Sequence, residues 1–97
     1  MSTIPLPPTL PAFAAQVGTR FALGDVAGVS LQLFEAVPLN GASPHEGAFS
    51  LMFRGPADAP LQQATHVLDH AALGRLAIFL VPVGRDSAGM QYQAIFN

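Results

Sequence analysis

The chain has 97 residues, no cysteine and a sparse charge set of four arginines, no lysine and six aspartates and glutamates, for a net charge of −2. That length suits one domain and leaves no room for a second, and the missing cysteines exclude disulfides and thiolate metal sites while leaving the compartment open. Four scattered arginines supply neither the field nor the counterion release on which nucleic-acid binding runs, so DNA and RNA are excluded as partners.

Half of the residues are apolar (51%), which argues against disorder, yet no apolar run approaches the roughly 20 residues of a membrane helix. The N-terminal stretch Met1-Ser-Thr-Ile-Pro-Leu-Pro-Pro lacks the basic start, apolar run and small-residue cleavage site of a secretory signal, so none is expected. Charged residues make up 10% of the chain, against roughly a quarter in an average globular protein. Solvated charge and net repulsion keep monomers apart, and interface cores are depleted in lysine and acids. The composition therefore points to a subunit that associates with its own kind or with other proteins; the plain alternative is a surface of Gln, Ser, Thr and Ala.

In chain order, residues 1–8 form a proline-rich, extended segment (Pro5, Pro7, Pro8) because proline fixes φ and removes N–H donors. A single domain over 9–97 follows. Thr9 is placed to cap a short helix, with Pro11 in its first turn and Gly18 as a left-handed stop; Leu10, Phe13 and Val17 share a helical face turned to the core. From Thr19 the period becomes alternating. Thr19 to Leu23 reads as a strand, Gly24 to Gly28 as a turn, and Val29 to Glu35 as a second strand with Val29, Leu31 and Leu33 inward. The turn lacks the lysine and following helix of a phosphate loop.

Pro38 to Gly47 is the longest loop, and Ala48 to Arg54 a strand with Phe49, Leu51 and Phe53 inward, ended by Gly55-Pro56. Residues 58–73 fit either a helix, with Leu61, Ala64, Leu68 and Ala71 in phase, or a strand from Gln63 to Asp69. Leu76 to Val83 is nearly all apolar, as expected of a strand covered on both faces at the centre of the core, and Pro82 then requires a strand end, an edge or a bulge. Gly84 to Gly89 reads as a loop, and Met90 to Phe96 alternates with Tyr92, Ala94 and Phe96 inward. One short N-terminal helix and about six strands with turns at intervals of roughly 8 to 12 residues predict a mainly β domain, a small antiparallel barrel or sandwich.

The stretch Leu73-Gly74 … Ile78-Phe-Leu-Val-Pro-Val-Gly84 … Gly89-Met … Tyr92 … Phe96-Asn97, together with Phe49-Ser-Leu-Met-Phe-Arg-Gly-Pro-Ala-Asp58, resembles an uncharacterised family of short bacterial proteins known only as a domain of unknown function. The resemblance runs from Leu10 to Asn97. Relatives of this kind carry a strand-like, glycine-containing sequence opposite Gln63 to His70, which favours the strand over the helix there. The resemblance implies no catalytic residues and no cofactor. It also implies a setting beside tail-collar or microcystin-dependent-type proteins, that is, a phage-tail-like or surface-fibre assembly.

Residue by residue, no credible catalytic or metal cluster stands out. His66 and His70 would share a helical face but lack a third ligand, since Asp69 would project away; on a strand they are about 13 Å apart at ~3.3 Å per residue, too far for one ion. His45-Glu46 could pair as base and orienter, but no activated serine or oxyanion motif accompanies them. Scattered acids show no close pair suited to glycoside hydrolysis. No enzyme, no metal and no cofactor are expected. The interface candidates are Phe34, Met52 and Met90, apolar residues that would be informative if exposed, and no lysine guards any strand edge. The second reading is a small-ligand or carbohydrate module using loops 38–47 and 84–89, with His45, Arg85 and Tyr92 lining a pocket.

Overall fold

A computed structural model describes residues 8–39 and 48–96. The elements are α1 (Leu10–Ala14), β1 (Arg20–Leu23), β2 (Ser30–Pro38), β3 (Phe49–Gly55), β4 (Ala64–His70), β5 (Gly74–Asp86) and β6 (Gly89–Phe96). The six strands are antiparallel and close into a barrel in the order β1-β2-β3-β6-β5-β4, the barrel member of the expected pair of architectures. Residues 64–70 are strand, as the resemblance implied, and among the described residues no helix is long and apolar enough to cross a membrane.

Alternation creates the core. Phe21 and Leu23 on β1, Leu31 and Leu33 on β2, Leu51 and Phe53 on β3, Leu68 on β4, Ile78 and Leu80 on β5, and Tyr92 and Ala94 on β6 all point inward and are buried. Phe21 and Phe53 meet edge to face, with ring centroids 5.3 Å apart, the arrangement favoured by the aromatic quadrupole. Burying side chains of this size contributes roughly 1.5–3 kcal/mol each.

Two β-bulges help six strands close. Leu33 pairs with Phe53 but Glu35 with Met52, which leaves Phe34 as the extra residue on β2. Likewise Pro82 pairs with Tyr92 and Gly84 with Gln91, so Val83 is extra on β5. Each bulge bends its strand and increases its twist, and the second places Pro82 beside the irregularity its sequence required.

The helix closes one mouth of the barrel. Phe13 is fully buried, with its ring 6.1 Å from Phe49 and 5.5 Å from Phe96, while those two stack on each other at 4.9 Å. Thr9 occupies the N-cap position and its carbonyl accepts the Phe13 N–H, but its side chain makes no capping bond. Because the helix ends at Ala14, Val17 lies outside its phase and is 44% exposed, not on the core. Gly18 does adopt the left-handed conformation (φ 94°), and its N–H donates to the Leu33 carbonyl at 2.7 Å.

Three further expectations are corrected. Leu76 to Val83 is not covered on both faces: Ile78 and Leu80 are buried while Ala77, Phe79 and Val83 are exposed, because a barrel wall has one inner and one outer side. Residues 84–89 are not a loop but the tip of a hairpin in which β5 continues to Asp86 and only Ser87 and Ala88 turn. Closure also gives every strand two neighbours, so no strand lies wholly at an edge, although among the described residues Gly74–Leu80 of β5 pairs with β4 alone and Val81–Asp86 with β6 alone. Of the loop 38–47, Pro38 ends β2, and 40–47 lies outside the described residues, as do 1–7.

Candidate functional site

The barrel wall has two chemically distinct outer zones, set by register. Toward the helix-plugged mouth, Val37 on β2 pairs with Ser50 on β3, which pairs with Ile95 on β6. Phe79 and Ile95 each lie two residues beyond Val81↔Gln93, the last β5–β6 pair on this side. Phe79 is 50% exposed, Ile95 and Val83 47%, and Val37 38%. Half-buried Met52 sits between Glu35 and Gln93 in the same zone. Across β5, β6 and β3 here the outward positions carry no ionisable group: Ala77, Phe79 and Val81, then Gln93 and Ile95, then Ser50 and Met52. The β5–β6 ladder begins only at Val81↔Gln93 among the described residues, so Phe79 and Ile95 flank the point where β5 leaves β6 and pairs with β4 alone.

Toward the opposite mouth the wall is polar. Arg20 on β1, Gln32 on β2, Arg54 on β3 and Gln91 on β6 form one cross-strand row. A cleft of about 350 Å3 opens beside it, reaching Ser30, Gly28, Pro56 and Ala88. The Arg54 guanidinium lies over the Phe34 ring, 4.2 Å from its centroid, and donates to Asp86 Oδ2 at 2.9 Å.

Asp86 is anchored from three directions: Arg54 Nη2, Gln91 Nε2 at 2.7 Å and the Ala88 N–H at 2.9 Å. These bonds, the Arg54 one first, hold its carboxyl below the usual carboxylate range. Asp69 is held down in the same way by an exposed fork from Arg75, at 2.9 and 3.3 Å. Both carboxylates bind fewer protons when folded, so their contribution is present above the ordinary carboxylate pKa of about 3.9 and disappears as pH falls through the folded values. Stability should accordingly be flat with respect to these groups above about pH 5 and fall in acid. In Asp86→Asn that fall should be shallower, as read by urea midpoints across pH; an unchanged acid slope would contradict the anchoring of Asp86.

The predicted site residues are dispersed. Phe34 is the bulged residue under Arg54, and Met52 lies on the outer apolar zone, but Met90 packs against the core and does not join them. His45 lies outside the described residues. Arg85 is exposed and reaches the Ala57 carbonyl at 3.4 Å, while Tyr92 is fully buried, its hydroxyl accepting the Leu61 N–H at 2.8 Å. Tyr92 therefore serves the core and cannot line a ligand pocket with Arg85.

The two strand histidines have separate local tasks. The His66 ring bonds the Gln62 carbonyl at 2.8 Å. In His70, Nδ1 accepts the N–H groups of Ala72 and Leu73 at 3.0 and 3.2 Å, which assigns the proton of the neutral ring to Nε2, donating to Thr19 Oγ1 at 2.8 Å. Thr19 in turn donates to the Gln16 carbonyl at 2.7 Å, and the imidazole lies tilted against Phe21, with ring centroids 4.2 Å apart. This chain ties the helix exit to the β4–β5 turn. Long-range 1H–15N spectra should show the Nε2–H tautomer for His70, and His70→Ala, which strands both N–H donors, should cost about 2–3 kcal/mol; an Nδ1–H pattern would overturn the assignment. Among the described residues no three His, Asp or Glu side chains group around a point that one ion could occupy.

The rows of Arg20, Gln32 and Arg54 and of Val37, Ile95 and Phe79 were not identified from sequence. Each residue occupies an outward position in an alternating segment, but only the register brings them together. No curated protein and no solved structure matches the chain. A family model described as a domain of unknown function (DUF6916) covers residues 8–96, and the chain belongs to that family.

Proposed function

We propose that this domain is a structural interaction module whose copies pack through the uncharged outer zone of β5, β6 and β3, centred on Phe79 and Ile95. The observation that supports this reading is the exposure of these two side chains on the outer face, each two residues beyond the last β5–β6 pair, with Val83, Val37 and half-buried Met52 on outer positions of the same wall. Large apolar side chains exposed together on one part of a wall mark an interaction surface. A second copy is the occupant because the outward positions of β5, β6 and β3 hold no ionisable group, Glu35 on β2 bordering them beside Met52, and an isologous contact brings the same patch to both sides. A stable pair needs about 800 Å2 per partner, so the contact extends past the apolar side chains onto the polar residues around them. Such a pair is closed, so in the tail-like or fibre assembly that the sequence resemblance implies it would serve as a building unit joined to other subunits through other surfaces.

Sedimentation velocity from micromolar to near-millimolar protein tests this. The wild-type protein should show reversible association, and Phe79→Ser with Ile95→Ser should be monomeric throughout while keeping its fold, because outer-wall substitutions usually change stability by only about 0.5 kcal/mol. A wild-type protein that stays monomeric over the whole range, or a double variant that associates equally well, would overturn the proposal.

A further inference from the structure

We propose that the cleft between Arg20 and Arg54 is a binding site for a carboxylate group. It lies in the polar zone of the wall, so it stands or falls separately from assembly through Phe79 and Ile95.

The donors are in place and largely unspent. Arg20 and Arg54 flank Gln32 in one cross-strand row, which sets their backbones about 10 Å apart at two strand spacings and lets their side chains bracket a single small anion. Gln32 turns its amide N–H to the Gly18 carbonyl at 3.2 Å and so does not occupy the space between them. Arg20 makes one long contact, 3.4 Å to Ser30 Oγ. Arg54 is held rigid by the Phe34 ring and by one bond to Asp86, yet its Nε is buried with no hydrogen-bond partner among the described residues. Leaving a buried charged donor unpaired is costly, and it is the exposed part of the Arg54 side chain, 25% accessible, that lines the cleft.

Charge selects the kind of ligand. The two ionisable side chains that line the cleft are both guanidinium groups, and Asp86 is already paired with Arg54, so the cleft takes an anion. A planar guanidinium meets a carboxylate with two parallel N–H···O bonds. The cleft volume, about 350 Å3, exceeds that of the carboxylate itself, so the group arrives on a larger body: a free organic acid, or an acidic side chain with its flanking peptide groups.

Titration of 15N-labelled protein at constant ionic strength tests the site, using acetate, N-acetylglutamate N-methylamide and inorganic phosphate. Both carboxylates should give saturable shifts at Arg54 Nε–H and at the amides of residues 20, 30, 32 and 88, with phosphate weaker. Binding of the peptide-like probe at least tenfold tighter than acetate assigns the source to a protein side chain; equal binding assigns it to a free acid. Arg20→Gln should weaken binding at least tenfold while the rest of the spectrum stays in place, and Arg75→Gln, remote and paired with Asp69, should leave it unchanged. Shifts that do not saturate, that survive Arg20→Gln, or that favour phosphate would overturn the assignment.

Discussion

Gly89→Ala should lower stability by more than about 3 kcal/mol, the sum of a strained backbone and a steric overlap with main chain. Gly89 has φ 140°, and a Cβ built on it would run into the carbonyl oxygen of Gly55. That oxygen belongs to the strand that pairs with the start of β6 at Gly55↔Met90, so the backbone cannot yield without opening the β3–β6 ladder. Gly28 provides the control. Its φ is 82° but nothing lies within 4 Å of an added Cβ, so Gly28→Ala should cost only about 1 kcal/mol, the backbone contribution alone. Urea midpoints with unchanged m-values would read the difference; equal losses at the two positions would show that the close approach of β6 to β3 is not what Gly89 serves.

Phe13→Ala should cost about 3–5 kcal/mol, as other large-to-small changes in a packed core do. The ring is fully buried and joins the stacked pair Phe49 and Phe96, so its loss leaves a cavity at the plugged mouth and removes the main apolar tie of α1 to the barrel. Val17→Ala, only a few residues further on but exposed, should be nearly neutral. A small effect of Phe13→Ala would mean that the helix is an appendage and that the barrel closes without it.

Much of this architecture was legible in the residues. The alternation of Leu31 and Leu33, of Leu51 and Phe53, and of Tyr92 and Ala94 marks the inner wall, and Pro82, which cannot donate to a ladder, calls for a strand end, an edge or a bulge, of which the structure shows the bulge at neighbouring Val83. Two local misreadings share one cause. A run such as Leu76 to Val83 carries no sign of whether its second apolar face meets protein or solvent, and Val17 continues a helical spacing without revealing that the helix ends at Ala14. The candidate sites were less legible still. Arg20, Gln32 and Arg54 come from three strands, as do Val37, Ile95 and Phe79, and their meeting depends on register and on the bulge at Phe34. Tyr92 reads from the sequence both as an inward residue and as a ligand contact; its full burial and the Leu61 N–H bonded to its hydroxyl make it a core residue.

The sparse charge of the chain takes on a spatial meaning in the barrel. Arg54 with Asp86 sits at one end of the wall and Arg75 with Asp69 near the β4–β5 turn, while the outward side chains of β5, β6 and β3 around Phe79 and Ile95 are uncharged. Amide spectra of the 15N-labelled wild-type protein, recorded through serial dilution from near-millimolar to micromolar concentration, test assembly through this zone most directly. Concentration-dependent shifts should cluster at residues 77–83, 93–95 and 50–52 and be absent from the Arg20–Arg54 row. Spectra that stay identical at every dilution, or changes confined to the polar end of the barrel, would contradict it.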